Sequence, residues 1–390
     1  MSESSTVYPP LEEVRKSVRP RWYRSPIGKQ RLRELCERSD REGFVQAGGH
    51  LALYLLLATV TVVFWTKGLW WLFFVSLWCL GFVASFFKGT SVHELGHGTV
   101  FRSRRLNRVF LYLLSLIGWW DPFDYASSHT YHHRYTTYPE ADRENLLPLE
   151  PSLRPGLLLQ LFTLNLFTRP GRNFGKGGLL WTVYLTVRRA LGVQGGLSAI
   201  ASQEWLERLH EDQPEAYRQS VVWSRVLIAF HGSVLLLALV TGLWVLPLVV
   251  SVAAYIANCG SYFFGVTQHC GLRENVPDFR KNTRSIQLPR PFEFLYWHMN
   301  WHTEHHMYAG VPCYHLKSLA RELADDMPEP QSLVGAWKEM RKIHRQQQHD
   351  PGYEFDRPVP PPKNDRASDS DEALAASIGD LAPQALKSNS

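Results

Sequence analysis

Long runs without a single charged residue constrain this chain more than anything else in it. From Val226 to Leu272 there are 47 consecutive residues with no Asp, Glu, Lys or Arg, and Gly43 to Thr66 and Gly68 to Phe87 are likewise uncharged. A membrane helix needs about 20 apolar residues to cross about 30 Å of hydrocarbon. Each shorter stretch fits one crossing and the longest fits two. A simple soluble domain, a disulfide-stapled secreted module and a nucleic-acid-binding domain are excluded as primary readings. The mean hydropathy is only −0.20, so much of the chain must lie outside the bilayer.

Net charge is +6, but its placement speaks for a membrane rather than nucleic acid. Ten basic residues lie between Arg15 and Arg41, and Arg102, Arg104, Arg105 and Arg108 follow the second apolar stretch. The loop between the first two stretches holds only Lys67, and the turn from Gly242 to Pro247 holds no charge. Basic loops stay cytoplasmic, so both termini are expected on that side. A basic tail resting on acidic lipid headgroups agrees with the same topology. The five cysteines form no CxxC pair, and Cys79 and Cys259 read as small buried hydrophobes. The first 40 residues lack the apolar core of a cleavable signal peptide.

The expected fold is all-α: an integral membrane protein with about four transmembrane helices and a cytoplasmic helical cap. Residues 1–42 read as a basic cytoplasmic arm with a short helix from about Pro26 to Arg41, and 43–325 as the membrane catalytic domain. Helices are predicted over 49–66, from Leu69 to about Thr99, and over 222–241 and 245–267. The second exceeds what the bilayer requires, so its last turns project into the cytoplasm. Apolar stretches at Val109–Trp120, Leu157–Phe167 and Leu179–Tyr184 are too short for crossings and read as interfacial or buried helices. Residues 326–350 form a cytoplasmic helical segment, and 351–390, rich in Pro, Ser, Asp and Ala, a disordered tail. The basic loop from Gly171 to Lys176 is one residue short of a phosphate-binding GxxxxGK and lacks its Ser or Thr.

Chemistry is concentrated in histidine. Eight of the 16 histidines fall in three boxes: His93 and His97 in HELGH, His129, His132 and His133 in HTYHH, and His302, His305 and His306 in HTEHH. Spacings of i, i+3 and i+4 put the rings of each box on one helix face, where they can converge on one point. Clustered histidine is a metal-site signal in its own right. A structural zinc takes four ligands and a catalytic zinc three, so eight nitrogens imply two ions. Imidazole suits zinc, copper, iron and nickel alike, so ligand type does not name the metal.

The set HxxxH, HxxHH, HxxHH, with the first box ending the second membrane helix and the last following the fourth, resembles the membrane fatty acid desaturase superfamily. The resemblance covers roughly residues 45–325, and the stretch WHTEHHMYAGVPCYHL from Trp301 to Leu316 is similar to the third-box region of acyl-lipid and sphingolipid desaturases. It implies a non-haem di-iron centre that uses O2 to abstract hydrogen from an unactivated methylene, leaving a double bond in a fatty acyl chain of a lipid. By the same resemblance His93, His97, His129, His132, His133, His302, His305 and His306 are the metal ligands. Some relatives recruit one more histidine just after the fourth membrane helix, where His269 stands. The asparagine those relatives carry one turn earlier is replaced here by Gly265.

Three further residues are weighed as neighbours of the metals: His298, one turn before His302, and Asp121 and Glu304, since carboxylates often accept a hydrogen bond from a ligating histidine. A plain helix-face histidine is the competing reading for His298. Glu140, Asp142 and Glu144 read instead as a solvated acidic loop. A lipid tail would slide into an apolar tunnel among residues such as Trp71, Phe73, Phe74, Tyr255, Phe263 and Gly265, or these merely face lipid. The chain contains no cytochrome-type His-Pro-Gly-Gly segment and no iron–sulfur cysteine pattern, so an external ferredoxin- or cytochrome-type electron donor with its reductase is expected. Hydroxylation, carotenoid oxidation (oxygenase or ketolase) and decarboxylation to terminal alkenes use the same scaffold. HELGH also matches HExxH, the helix of intramembrane zinc proteases. Those proteases need an Asp-Gly motif on a later membrane helix, and helices three and four hold no Asp.

Overall fold

The computed structural model describes residues 8–145, 147–169, 171, 177–193 and 203–363. Among the described residues three helices are long and apolar enough to cross a membrane: Asp40–Thr66, Trp70–Gly96 and Pro214–Thr241. The third begins before its apolar stretch, with Pro214 in its first turn, where a missing N–H costs nothing. Strand structure among the described residues is almost confined to Ile286–Gln287 and Gln331–Ser332, paired in parallel.

The second expected helix is interrupted and the fourth is broken. Trp70–Ala84 is α-helical, Ser85–Phe87 tightens to a 3-10 turn, and Thr90–Gly96 restarts the helix beyond Gly89. Gly89 sits at φ 87°, a region where a side chain would be strained. The restarted helix carries His93, with His97 at its C-cap. The fourth apolar run is helical only over Val245–Tyr255; Ile256 is extended and Ala257 has φ 47°, and helix returns at Cys259–Gly265. Irregular backbone at membrane depth survives only where protein satisfies it. Here the segment after the Pro155–Phe162 helix does so: Asn165 N donates to Tyr255 O at 2.8 Å, and Ala257 N donates to Thr163 O at 2.8 Å. Gly81 lets this break approach the second span, since a Cβ there would lie 2.5 Å from the Ile256 carbonyl oxygen.

Polar side chains inside the spans are hydrogen-bonded across them. Tyr54 donates to Val249 O at 2.7 Å, His50 Nε2 contacts Val83 O at 3.0 Å, and His231 Nδ1 contacts Ser251 Oγ at 2.9 Å. In hydrocarbon such bonds hold helices together where the hydrophobic effect cannot. Trp71 and Phe74 turn outward, 78% and 61% exposed, whereas Phe73, Tyr255 and Gly265 are buried.

The cap is built around the helix Pro122–Tyr135 that carries the second box. Asp121 caps it, accepting from Phe123 N at 3.0 Å and Asp124 N at 3.2 Å, with Pro122 in the first turn. The apolar stretch from Val109 forms the amphipathic helix Arg104–Ile117, and the third short stretch forms Leu179–Ala190. Trp205, fully buried, packs behind the second-box helix with Tyr131 and Tyr135, and its Nε1 donates to Ser128 Oγ at 3.0 Å.

The arm is folded onto the cap rather than free. Leu11–Ser17, Lys29–Leu35 and Asp40–Gly43 are helical. The tail expected to be disordered from Pro351 is held as far as Lys363: Arg273 pairs with Glu354 at 2.8 Å, Lys281 with Asp356 at 2.8 Å, and the buried Arg357 donates to Thr283 O. Composition hid these pairs because their partners lie some 75 residues upstream. Residues 364–390 and 172–176, including most of the Gly171–Lys176 loop, lie outside the described residues.

Candidate metal centre

Nine buried histidines meet at the end of the second apolar helix, Trp70–Gly96, which carries His93 in its last turn. Their ring nitrogens form two groups: His93, His97, His129, His133 and His305, and beside them His132, His269, His302 and His306. Within each group the ligand atoms lie within 4.8 Å of one another. The boxes do not each converge on one point. In the second box the i and i+4 rings (His129, His133) join the first group and the i+3 ring (His132) the second. The third box is crossed the other way: His302 and His306 join the second group and His305 the first. The first box gives both rings to the first group, and His269 completes the second.

Five of the nine rings are held from outside by Nδ1. His93 Nδ1 lies 3.1 Å from Tyr125 Oη, His129 Nδ1 3.2 Å from both Glu144 oxygens, and His132 Nδ1 2.8 Å from Asp142 Oδ2. His306 Nδ1 meets Thr136 Oγ1 at 3.0 Å, and His269 Nδ1 meets Asn282 O at 3.0 Å. Such outer bonds fix the tautomer and raise the basicity of a ligating imidazole. Inside, Nε2 atoms face one another: His93 to His305 at 2.6 Å, His305 to His133 at 3.2 Å, His302 to His269 at 2.9 Å and His306 to His302 at 3.0 Å.

These contacts test whether a metal fits. Facing imidazole lone pairs repel unless a proton or cation lies between them. Ligands about 2 Å from one ion stand roughly 3 Å apart, which is the spacing found. His97 Nδ1 and Nε2 and His129 Nε2 are buried with no hydrogen-bond partner, a costly arrangement that a cation relieves. Burial, reinforced by the neighbouring rings, holds His133, His302 and His306 well below the usual histidine range, so the ligands are neutral and ready for a cation. His132 is the exception. Burial opposes its charge, but the Asp142 and Glu144 carboxylates outweigh that and lift it to about 9. Asp142 correspondingly lies below the usual carboxylate range, the His132 charge outweighing its burial.

Other residues singled out from the sequence lie elsewhere. His298 is not on the face of His302, because Trp297 and His298 both adopt positive φ (54° and 55°) and helix begins only at His302. Glu304 points away, accepting from Ser285 Oγ at 2.5 Å. Asp121 holds Arg189 at 3.0 Å and Ser220 rather than a box histidine. Their place beside the rings is taken by Tyr125, Thr136, Asp142 and Glu144, two of them from the loop read as solvated acid. The spacing signal was present, since Asp142 lies ten residues after His132, but nothing in the sequence folds that loop back. Glu94 Oε1 lies 3.4 Å from His305 Nδ1. With His93 and His97 sharing a group with three more histidines, HELGH has the surroundings of a multi-histidine site and not those of a two-histidine protease helix.

A search of the curated proteins finds no match. A family model for fatty acid desaturases matches residues 68–336, more than half of the chain and all three boxes. Three spans able to cross a membrane, nine converging histidines and that match make the chain a membrane protein of the fatty acid desaturase family.

Proposed function

We propose that the chain is an O2-dependent desaturase that introduces a double bond into a fatty acyl chain of a lipid. The observation that carries this reading is the pair of adjacent, buried, all-histidine groups in a desaturase-family membrane protein. Two iron ions, one held by His93, His97, His129, His133 and His305 and the other by His132, His269, His302 and His306, would supply the O2 chemistry that an unactivated methylene requires. Asp142, Glu144, Tyr125 and Thr136 engage the Nδ1 sides of His132, His129, His93 and His306, which orients those four rings for the metals. Overall, two hydrogens leave adjacent methylenes, and O2 with two external electrons and two protons becomes two waters.

The basic residues of the arm and of the Arg102–Arg108 segment favour a cytoplasmic cap, with both termini on that side. The lipid headgroup then stays at the interface while its tail enters between the spans. Electrons come from a separate ferredoxin- or cytochrome-type donor. Hydroxylation, carotenoid oxidation and decarboxylation would use the same metal groups and differ in the product.

The test is a mass-spectrometric fatty acid profile of a heterologous host expressing the native chain or the His132→Ala, His133→Ala double variant. A new alkene in the first and not the second supports desaturation and locates the bond. Hydroxylated chains or terminal alkenes would replace it with another reaction at the same site. An unchanged profile, with a competent donor co-expressed, would reject common acyl chains as substrates.

A further inference from the structure

Two stacked aromatic rings lead from the cap surface to the second histidine group. Trp22, partly exposed, stacks on Phe279 with centroids 4.1 Å apart and planes 7° from parallel. Phe279 is fully buried, so Trp22 is the member of the stack that reaches water. Phe279 also meets the His306 ring, with centroids 5.6 Å apart and planes tilted by 39°. Trp22 is fixed in place: its Nε1 donates to Arg134 O at 2.9 Å, and Tyr138 packs edge-on at 5.8 Å.

The surface around Trp22 is basic. Arg19 and Arg21, within three residues of it, and Arg134, whose carbonyl it binds, are all exposed. No acidic side chain among the described residues pairs with these three. Cations without a carboxylate partner beside a partly exposed aromatic suit an acidic protein surface, which they would attract and orient from a distance. Metal-bearing carriers of this kind deliver electrons one at a time.

We propose that this face is where an acidic one-electron carrier protein docks, and that Trp22 and Phe279 are the contact through which its electrons pass to the His306 side of the centre. Each passage oxidises one carrier by one electron and makes or breaks no bond in the stack. Two passages supply the two electrons of one turnover. The proposal rests on the reading of the histidine groups as a centre that needs external electrons.

The test uses the full chain in lipid nanodiscs, iron-loaded and anaerobic. Two reduced carriers serve as probes, an acidic [2Fe–2S] ferredoxin and the soluble haem domain of cytochrome b5, with methyl viologen radical as a small reductant. Carrier oxidation is followed optically, and binding of the oxidised carriers to the metal-free chain by biosensor. Charge reversal at Arg19, Arg21 and Arg134 should weaken binding and slow second-order reduction about tenfold or more at low salt. Trp22→Leu should leave binding intact and lower the limiting rate within the complex severalfold, and Trp22→Phe should restore it. Methyl viologen should reduce all variants equally, which also shows that each is folded and loaded. Glutamine at the three arginine positions gives a milder second set should the reversed charges impair folding.

Equal carrier rates and binding in native and charge-altered chains would overturn the docking face, and an unchanged limiting rate in Trp22→Leu would overturn the route. If methyl viologen reduces the native chain and neither carrier does, the docking proposal falls and the metal centre stands. If methyl viologen also fails, the metal-centre reading falls with it.

Discussion

His132 and Asp142 face each other at 2.8 Å, Nδ1 to Oδ2, with both side chains almost wholly buried. Asp142 also accepts from Thr137 N at 3.0 Å, which fixes the carboxylate as well as the ring. The pair orients the only second-box histidine that belongs to the second group. Removing an outer partner of a ligating histidine typically costs about 10–100-fold in metal affinity. Asp142→Ala is therefore expected to weaken one of two bound metals by that factor and to leave the other in place, with Asp142→Asn intermediate. Competitive metal titration of the purified protein measures this, and two undiminished affinities would reduce Asp142 to a loop-fixing role.

His269 and His298 separate a geometric reading from a positional one. His269 lies 2.9 Å from His302, Nε2 to Nε2, whereas His298 stands before the third-box helix in a left-handed turn. His269→Ala should drop metal content from two ions per chain toward one, and His298→Ala should retain both. Inductively coupled plasma mass spectrometry on the two variants decides it. Equal loss in both would mean that the second group is organised differently.

The metal-free protein should be acid-labile, and the sign follows from the buried rings. His133, His302, His305 and His306 have folded-state affinities for protons well below the ordinary value, burial being the first cause. Below about pH 6.5 the unfolded chain binds protons that the folded chain refuses. Stability then falls as pH falls. His132, raised to about 9, works the other way: its contribution is fully present below about pH 6.5 and is lost as pH rises through 9. Four rings outweigh one, so the chelated protein should melt at lower temperature at pH 5.5 than at pH 7.5. Bound metal should narrow that gap, because it fills the nitrogens that protons would otherwise seek. Thermal scans with and without chelator at the two pH values are sufficient.

Three of the four expected spans and the eight box histidines were legible because hydropathy and i, i+3, i+4 spacing are local signals. The breaks at Gly89 and Ala257 were not. A run of apolar residues looks the same whether or not the Thr163–Asn165 segment comes in to satisfy its backbone. Box membership was likewise visible, but its division between two groups was not, since helix spacing says which rings share a face and not which helix lies opposite. Asp142 and Glu144 failed for a related reason: an acidic loop reads as solvated until the fold turns it onto His132 and His129. His298 shows the converse error, where counting one turn back from His302 assumed a helix that Trp297 and His298 do not form.

Arg189 carries the last expectation. Its guanidinium is fully enclosed and reaches two carboxylates, Asp121 at 3.0 Å and Asp124 at 3.0 Å, while His210 Nε2 meets Asp124 at 3.0 Å. Asp121 simultaneously caps the second-box helix, so the arginine fixes the end of one of the two helices that feed both histidine groups. Removing one partner of a buried ion pair typically costs about 3–5 kcal/mol because a charge is left uncompensated. Arg189→Met removes the cation that both carboxylates share, leaving Asp124 to His210 and Asp121 to Ser220 and its capped N–H groups, and should destabilise by about that much, with lysine a poor substitute since one ammonium cannot span both in a fixed fork. Unlike Asp142→Ala, which is expected to drain one site, Arg189→Met should weaken metal retention at both together. Denaturation in detergent read beside metal stoichiometry separates the two outcomes, and selective loss of one ion in Arg189→Met would show that the Asp121 end of the helix does not hold both groups.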